Sequence, residues 1–286
     1  VWLLARARES HVELDIITHN ATIGACKDGH RWEAGLGLLR DLRGPSAPPG
    51  GLVVAYSALV TAAGRARSWR QAVALFEEFR GLQPPPPPSV ILCSALLDAC
   101  EKARRWQAAL SSLSEALRGS LRLDVILFST AISACEKGGR WQAAVLLLRE
   151  MKAAQLVPNV IACNAAISAC EKGKQWLRAI RLLAEVRASR LKPDTVMYSA
   201  ALSACEKVQQ WARVLGLLDS AQAERLVPDT VMYSAAVSAC EKVEQWETAL
   251  QLLRAMGALG VVPNIYTHNA ALSACEKAGQ WEPALE

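Results

Sequence analysis

Residues 160–194 read VIACNAAISACEKGKQWLRAIRLLAEVRASRLKPD, and the reading of this stretch decides the fold. Val160, Cys163, Ile167 and Cys170 recur at spacings of three and four, which puts them on one face of a helix. Trp176, Ala179, Ile180, Leu183 and Val186 repeat that spacing on a second helix. Between them lies Glu171-Lys172-Gly173-Lys174, a short polar break whose glycine, Gly173, is expected to end the first helix. Lys192-Pro193-Asp194 closes the unit, because Pro cannot continue a helix and Asp is a favoured N-cap for the next one. The stretch is a helical hairpin.

The same hairpin recurs along the chain. Trp falls at 32, 69, 106, 141, 176, 211, 246 and 281, at intervals of 37, 37 and then 35 throughout. Cys26, Cys100, Cys135, Cys170, Cys205, Cys240 and Cys275 each stand six residues before one of these Trp, and Ala63 takes that place before Trp69. Seven complete units follow, at 16–52, 53–89, 90–124, 125–159, 160–194, 195–229 and 230–264. Residues 1–15 are expected to end an earlier unit and 265–286 to begin a later one. A hairpin of this size cannot bury its apolar face alone, so the units must stack. The expected fold is all-α, an α-solenoid of stacked helix-turn-helix repeats with one long concave surface.

The period explains an odd composition. Nine Trp outnumber the three Phe and four Tyr together, and there are nine Cys in 286 residues. There is no C-x-x-C, and His11, His19, His30 and His268 do not fall beside Cys pairs, so neither a metal site nor a cofactor is expected. The repeated Cys is read as a small buried residue and the repeated Trp as a packing residue. Charged residues interrupt every apolar run, so no membrane-spanning segment is expected. The chain opens Val1-Trp2-Leu3-Leu4 without Met and without the order of a signal peptide, so it is expected to be part of a longer protein. No nucleophile elbow, P-loop, zincin or deaminase pattern occurs, and no catalytic residue or small-molecule substrate is expected.

Period and motif choose among helical-pair repeats. A tetratricopeptide signature is absent and HEAT units are longer. Each unit instead resembles the pentatricopeptide repeat family in its P-type, 35-residue form. The openings, such as Val160-Ile161-Ala162-Cys163-Asn164, and the endings Pro158-Asn159, Pro193-Asp194, Pro228-Asp229 and Pro263-Asn264 carry the likeness. The first two units depart from it: Gly44 to Gly51 and Pro84 to Pro88 are insertions at unit boundaries, expected as loops, and leave Leu52 and Ser89 where the family has Asp or Asn.

The resemblance implies sequence-specific binding of single-stranded RNA, about one base per repeat, read by the fifth and last residues with the protein parallel to the RNA. Asp only accepts hydrogen bonds and suits a ring N–H, whereas Asn can donate to a ring nitrogen. The family's pairs then assign Ser94 with Asp124 to G, Ser129 with Asn159 to A, Asn164 with Asp194 to U, Ser199 with Asp229 to G and Ser234 with Asn264 to A. The expected core site is 5′-GAUGA-3′. Asn20 and Asn269 imply flanking pyrimidines, and Ser57 gives no letter. Helix capping is a concurrent role for the last position.

Two further columns follow from the resemblance. The second residue, Ile91, Ile126, Ile161, Val196 or Val231 and likewise Ile17, Val54 and Tyr266, would sandwich a base; ordinary core packing is the alternative. The thirteenth residue is Arg65, Lys102, Lys137, Lys172, Lys207, Lys242 or Lys277, with Asp28 in the first unit. These cations would contact phosphates, or alternatively complement the helix dipole. The family implies RNA processing, stability or translation in a mitochondrion or chloroplast, with RNA-processing proteins as further partners. A protein-binding scaffold, or the RNA-targeting part of a larger RNA-processing enzyme, are the other readings.

Overall fold

A computed structural model describes residues 16–28, 32–42, 49–66, 68–82, 89–118, 124–189 and 191–280. Residues 1–15, Pro84 to Pro88, Trp281 and the side chains of Cys26 and Asp28 lie outside what is described, and so do the sequence expectations that rest on them. Among the described residues there are fifteen α-helices and no strand. They are α1 (Ile16–Asp28), α2 (Trp32–Leu42), α3 (Pro49–Arg65), α4 (Trp69–Arg80), α5 (Val90–Lys102), α6 (Trp106–Arg118), α7 (Val125–Lys137), α8 (Trp141–Ala153), α9 (Val160–Lys172), α10 (Trp176–Ala188), α11 (Thr195–Glu206), α12 (Trp211–Ala223), α13 (Thr230–Glu241), α14 (Trp246–Ala258) and α15 (Ile265–Lys277). Two compact units are distinguished, one of residues 1–138 and 149–157 and one of residues 139–148 and 158–286.

From 90 onward, each first helix starts at the first residue of its repeat and each second helix starts at Trp. The helix starts have a local cause. Asp124, Asn159, Asp194, Asp229 and Asn264 are extended N-caps, and each accepts through its side chain from the backbone N–H three residues on, at 2.8–2.9 Å. Ser89 does the same to Leu92 at 3.3 Å.

Gly173 ends the first helix as its C-cap, as the sequence implies. Gly173 keeps φ −81, and it is Lys174 that takes the left-handed conformation at φ 54. The N–H of Gln175 reaches back to the Cys170 carbonyl at 2.8 Å and that of Lys174 to Glu171 at 3.0 Å, a Schellman closure. Arg104, Gly139, Gln209, Glu244 and Gly279 repeat the positive φ at the same phase. Gly173 also serves packing: a Cβ there would lie 2.2 Å from Cδ1 of Trp141, the indole of the preceding repeat. Gly138 is held against Trp106 in the same way.

The first insertion departs from expectation. It is not wholly a loop, because α3 begins at Pro49 and runs through Leu52. Pro is well suited to a first helical turn, where its missing N–H costs nothing. Leu52 therefore sits inside a helix and not at a cap.

Within each unit, first helices stack on first helices: α1, α3, α5 and α7 in one, α9, α11, α13 and α15 in the other. Second helices cover their own first helix and the next: α2, α4 and α6 do so in the first unit, and α10, α12 and α14 in the second. Ala at the tenth position and Cys at the eleventh allow the close approach, and Ala99, Cys100, Ala134, Cys135, Ala204, Cys205, Ala239 and Cys240 are buried. Gly64 on α3 comes so near α5 that an added Cβ would lie 2.8 Å from that of Ala99. The second helices contribute a seam at spacings of four and three, such as Ala179, Leu183 and Val186, all buried.

Candidate nucleic-acid interface

One face of the first helices carries the second- and fifth-position columns. Side chains at the second, fifth, sixth, ninth and twelfth positions share it because they recur at three and four residues. In the second unit this face forms an open groove of about 540 Å³ lined by Val231, Ser234, Ser238, Glu241, Tyr266 and Asn269, among others.

The second position is at the surface. Ile91 is 67% exposed, Ile126 63%, Ile161 62% and Val231 57%, with Ile17, Val54, Val196 and Tyr266 similarly open. Core packing does not account for these aliphatic chains. Exposed apolar side chains repeated at one phase of the repeat offer flat contacts to a ligand.

The fifth position divides by residue type. Ser57, Ser94, Ser129, Ser199 and Ser234 each donate the hydroxyl to a backbone carbonyl three or four residues earlier, at 2.6–2.9 Å. Their oxygens thereby act towards a neighbour as acceptors. Ser57 and Ser129 are buried, whereas Ser94, Ser199 and Ser234 are half-buried. Ser234 also meets Thr267 Oγ1 at 2.7 Å. Asn164 instead reaches the last residue of its own repeat: its Nδ2 donates to Asp194 Oδ2 at 2.9 Å. Asp194 Oδ1 meanwhile caps α11, so one carboxylate does both jobs. Asn164 Oδ1 and Asn20 Oδ1 are enclosed acceptors without a hydrogen-bond partner. Asn20 is half-buried, and Asn269 is exposed.

The thirteenth-position cations are engaged within the protein. Lys207 Nζ donates to Glu171 Oε1 at 2.8 Å, Lys242 to Glu206 at 2.9 Å, Lys277 to Glu241 at 2.9 Å and Lys137 to Glu101 at 2.7 Å. Each pair joins a Glu at the twelfth position of one repeat to the Lys of the next. Ser238 and Ser273, at the ninth position, donate to the same Glu206 and Glu241 oxygens at 2.8 and 3.0 Å. Lys102 departs from the pattern and pairs with Asp98 on its own helix at 2.5 Å. Lys172 also has an interaction partner. Burial raises the Glu241 carboxyl, but hydrogen bonds from Lys277 and Ser273 and the charges of Lys277 and Lys242 outweigh it and leave the pKa below its ordinary value. The cation column is legible in the sequence; its pairing with Glu of the preceding repeat depends on how the hairpins stack. The recurring pentapeptide Ser-Ala-Cys-Glu-Lys, at 133–137, 168–172, 203–207, 238–242 and 273–277, was the signal.

The repeated thiols are packing groups. Burial pushes Cys93, Cys100, Cys170 and Cys205 up to about 11 and Cys135 to about 12, so they stay protonated at neutral pH. Among the described residues no group of three His, Cys, Asp or Glu is placed to hold a metal ion, and no helix is long and apolar enough to cross a membrane.

A stack of 35-residue helical hairpins, capped at each join and presenting one repeated polar and apolar face, defines the class: a helical-repeat protein. The model of the pentatricopeptide repeat domain matches residues 111–175, 146–208 and 216–278, and that of the PPR repeat matches 54–83. The chain belongs to the pentatricopeptide repeat family. The fold agrees with the crystal structure of the pentatricopeptide repeat protein PPR10 from maize (TM-score 0.74, 26% identity, 99% of this chain and 40% of that one). It also resembles PPR10 in complex with an 18-nt psaJ RNA element (TM-score 0.54, 20% identity, 99% and 46%). A third likeness is to the PPR domain of Arabidopsis thaliana protein-only RNase P 1 in complex with tRNA (TM-score 0.56, 15% identity, 63% and 95%). The chain spans about two fifths of the maize protein it matches. No curated protein sequence matches it significantly.

Proposed function

We propose that the chain binds single-stranded RNA sequence-specifically, about one base per repeat, through its fifth and last residues. The observation that carries this reading is the side-by-side placement of those residues, seen in the 2.9 Å bond between Asn164 and Asp194. Capping uses one oxygen of Asp124, Asp194 and Asp229, and at Asp194 the other oxygen accepts from Asn164. The exposed aliphatic column at the second position supplies apolar surface for base planes. Family membership, and solved relatives in complex with RNA elements and tRNA, support the ligand class.

The proposed core site is 5′-GAUGA-3′, read by repeats 90–124 to 230–264, with the RNA parallel to the protein. The proposed role is organellar RNA processing, stability or translation, in a mitochondrion or chloroplast, with RNA-processing proteins as further partners. Lys102, Lys137, Lys172, Lys207, Lys242 and Lys277 are proposed to contact phosphates; those bonded to Glu of the preceding repeat would have to share or exchange those partners. The deciding experiment compares RNA oligomers containing GAUGA and GAUAA. Selectivity for the first that is reversed by Asp229→Asn supports the reading, and equal binding of both by the wild type refutes it.

A further inference from the structure

The third residue of the repeats from 90 to 264 faces the core and is apolar: Leu92, Leu127, Ala162, Met197 and Met232 are all buried. Thr267 takes that place in α15 and is equally buried, at 0% exposure. A hydroxyl enclosed in this way needs hydrogen-bond partners, and it finds them in the two residues proposed to read the base of the preceding repeat. Thr267 Oγ1 donates to Asn264 Oδ1 at 2.8 Å and lies 2.7 Å from Ser234 Oγ. Thr267 has one proton and uses it on Asn264, so between the two hydroxyls Ser234 is the donor, sharing its proton with the Thr230 carbonyl. Asn264 Oδ1 also accepts from the Thr267 backbone N–H at 2.8 Å, which is the cap of α15. One carbonyl oxygen thus holds two donors of the same residue. In repeat 160–194 the longer Asn164 reaches Asp194 directly. Ser234 is shorter, and the Thr267 hydroxyl stands between it and Asn264.

We infer that Thr267 is a positioning residue for base selection by the repeat before it: it fixes the Asn264 amide with the oxygen turned to α15 and the NH2 left for the ligand. This role rests on the proposed base reading, in which Ser234 and Asn264 take adenine. A backbone N–H only donates, so the capping atom of Asn264 has to be its oxygen. The NH2 is then the end that meets a base, and it can donate to the acceptor ring nitrogen of adenine. Guanine carries an N–H at that ring position, and two donors facing each other do not bond. To accept from guanine, the amide would have to turn its oxygen outward and give up the cap bond and the Thr267 hydroxyl bond together. The cap bond is shared with Asn159, which holds the backbone N–H of Ala162, a residue without a hydroxyl. At Asn264 the hydroxyl adds a second cost. Selectivity of this kind comes from the penalty on the wrong ligand.

The test measures binding of the whole chain to GAUGA RNA, to GAUGG, which differs in the letter read by Ser234 and Asn264, and to GGUGA, which differs in the letter read by Ser129 and Asn159. The wild type is expected to prefer adenine in both places. Thr267→Val keeps the shape of the side chain at a position where Leu, Ala and Met also occur, and it leaves the capping N–H in place. It is expected to lower the preference for adenine over guanine at the fifth letter by roughly fivefold, as the loss of one hydrogen bond would give, and to leave the second letter unchanged. Thr267→Ala copies Ala162 and removes the same hydroxyl, with the same expected outcome. Thr267→Ser keeps the hydroxyl and is expected to retain the wild-type preference. A residue that only supported α15 would lower thermal stability, or affinity for both RNAs alike, without moving the ratio. An unchanged fifth-letter ratio in Thr267→Val and Thr267→Ala, beside a selective wild type, overturns the role of Thr267 and leaves the base reading standing. Equal binding of all three RNAs by the wild type overturns the base reading and the role of Thr267 together.

Discussion

Asn164 Nδ2 donates to Asp194 Oδ2 at 2.9 Å across 30 residues of chain, joining the fifth and last residues of one repeat on one face. The cap on α11 uses the other oxygen of Asp194, at 2.9 Å from the Met197 N–H. Reading and capping are thus separable by mutation. Asn164→Ser leaves the cap in place and copies the residue at 199 and 234. It is expected to change the preferred third letter of the site from U to G, with a swing of roughly tenfold in relative affinity. Binding of GAUGA against GAGGA RNA checks it.

The exposed second position should separate binding from folding. Ile126 is 63% exposed, so Ile126→Ala is expected to change unfolding free energy by no more than about 0.5 kcal/mol. Its RNA affinity is expected to fall several-fold. Thermal unfolding and RNA titration on the same preparation test the two halves; a large stability loss with unchanged RNA affinity would mean core packing.

The Ser-Glu-Lys ladder should make stability acid-sensitive. The Glu241 carboxyl lies below its ordinary pKa of about 4.5 in the folded chain. A carboxyl depressed by folding contributes stability above the unfolded pKa and loses it as pH falls through the lower folded value. Glu241→Gln is therefore expected to flatten the loss of Tm below about pH 4.5. Because Lys277 is 44% exposed, the cost at neutral pH should stay below about 1 kcal/mol and shrink further in salt.

The close packing of α3 on α5 should not tolerate a methyl group. Gly64→Ala places its Cβ 2.8 Å from Ala99 Cβ and 3.2 Å from its Cα, both on a stacked helix that cannot turn aside. A loss of roughly 1–3 kcal/mol is expected from urea unfolding. Lys174→Gly, which relieves a residue at φ 54, is expected to be neutral or stabilising by up to about 1 kcal/mol.

The thiol column should behave as core. Cys100, Cys135, Cys170 and Cys205 are fully buried, and burial holds them at about 11 to 12. At about pH 8 a thiol reagent is expected to label them only in step with unfolding. For a thiol raised by folding, the stabilisation is present below its ordinary value of 9.0 and lost as pH rises through the folded one. The array should accordingly weaken above about pH 9, followed by circular dichroism.

Sequence alone determined the repeat, its phase and the two helices of each hairpin. Those features are local: apolar spacing, a capping Asp or Asn after Pro, and a Trp that opens the second helix all act within one unit. Tertiary structure decided the features that depend on how one hairpin seats on the next. It put the left-handed residue of the turn at Lys174 and seated Gly173 against the Trp141 indole. It turned the second-position aliphatics outward and tied each Lys of the ladder to a Glu on the preceding repeat. It also brought α3 and α5 together at Gly64 too closely for a side chain there. The spacing between stacked helices is set by the small residues at their contact, and periodicity along one chain carries no measure of that distance.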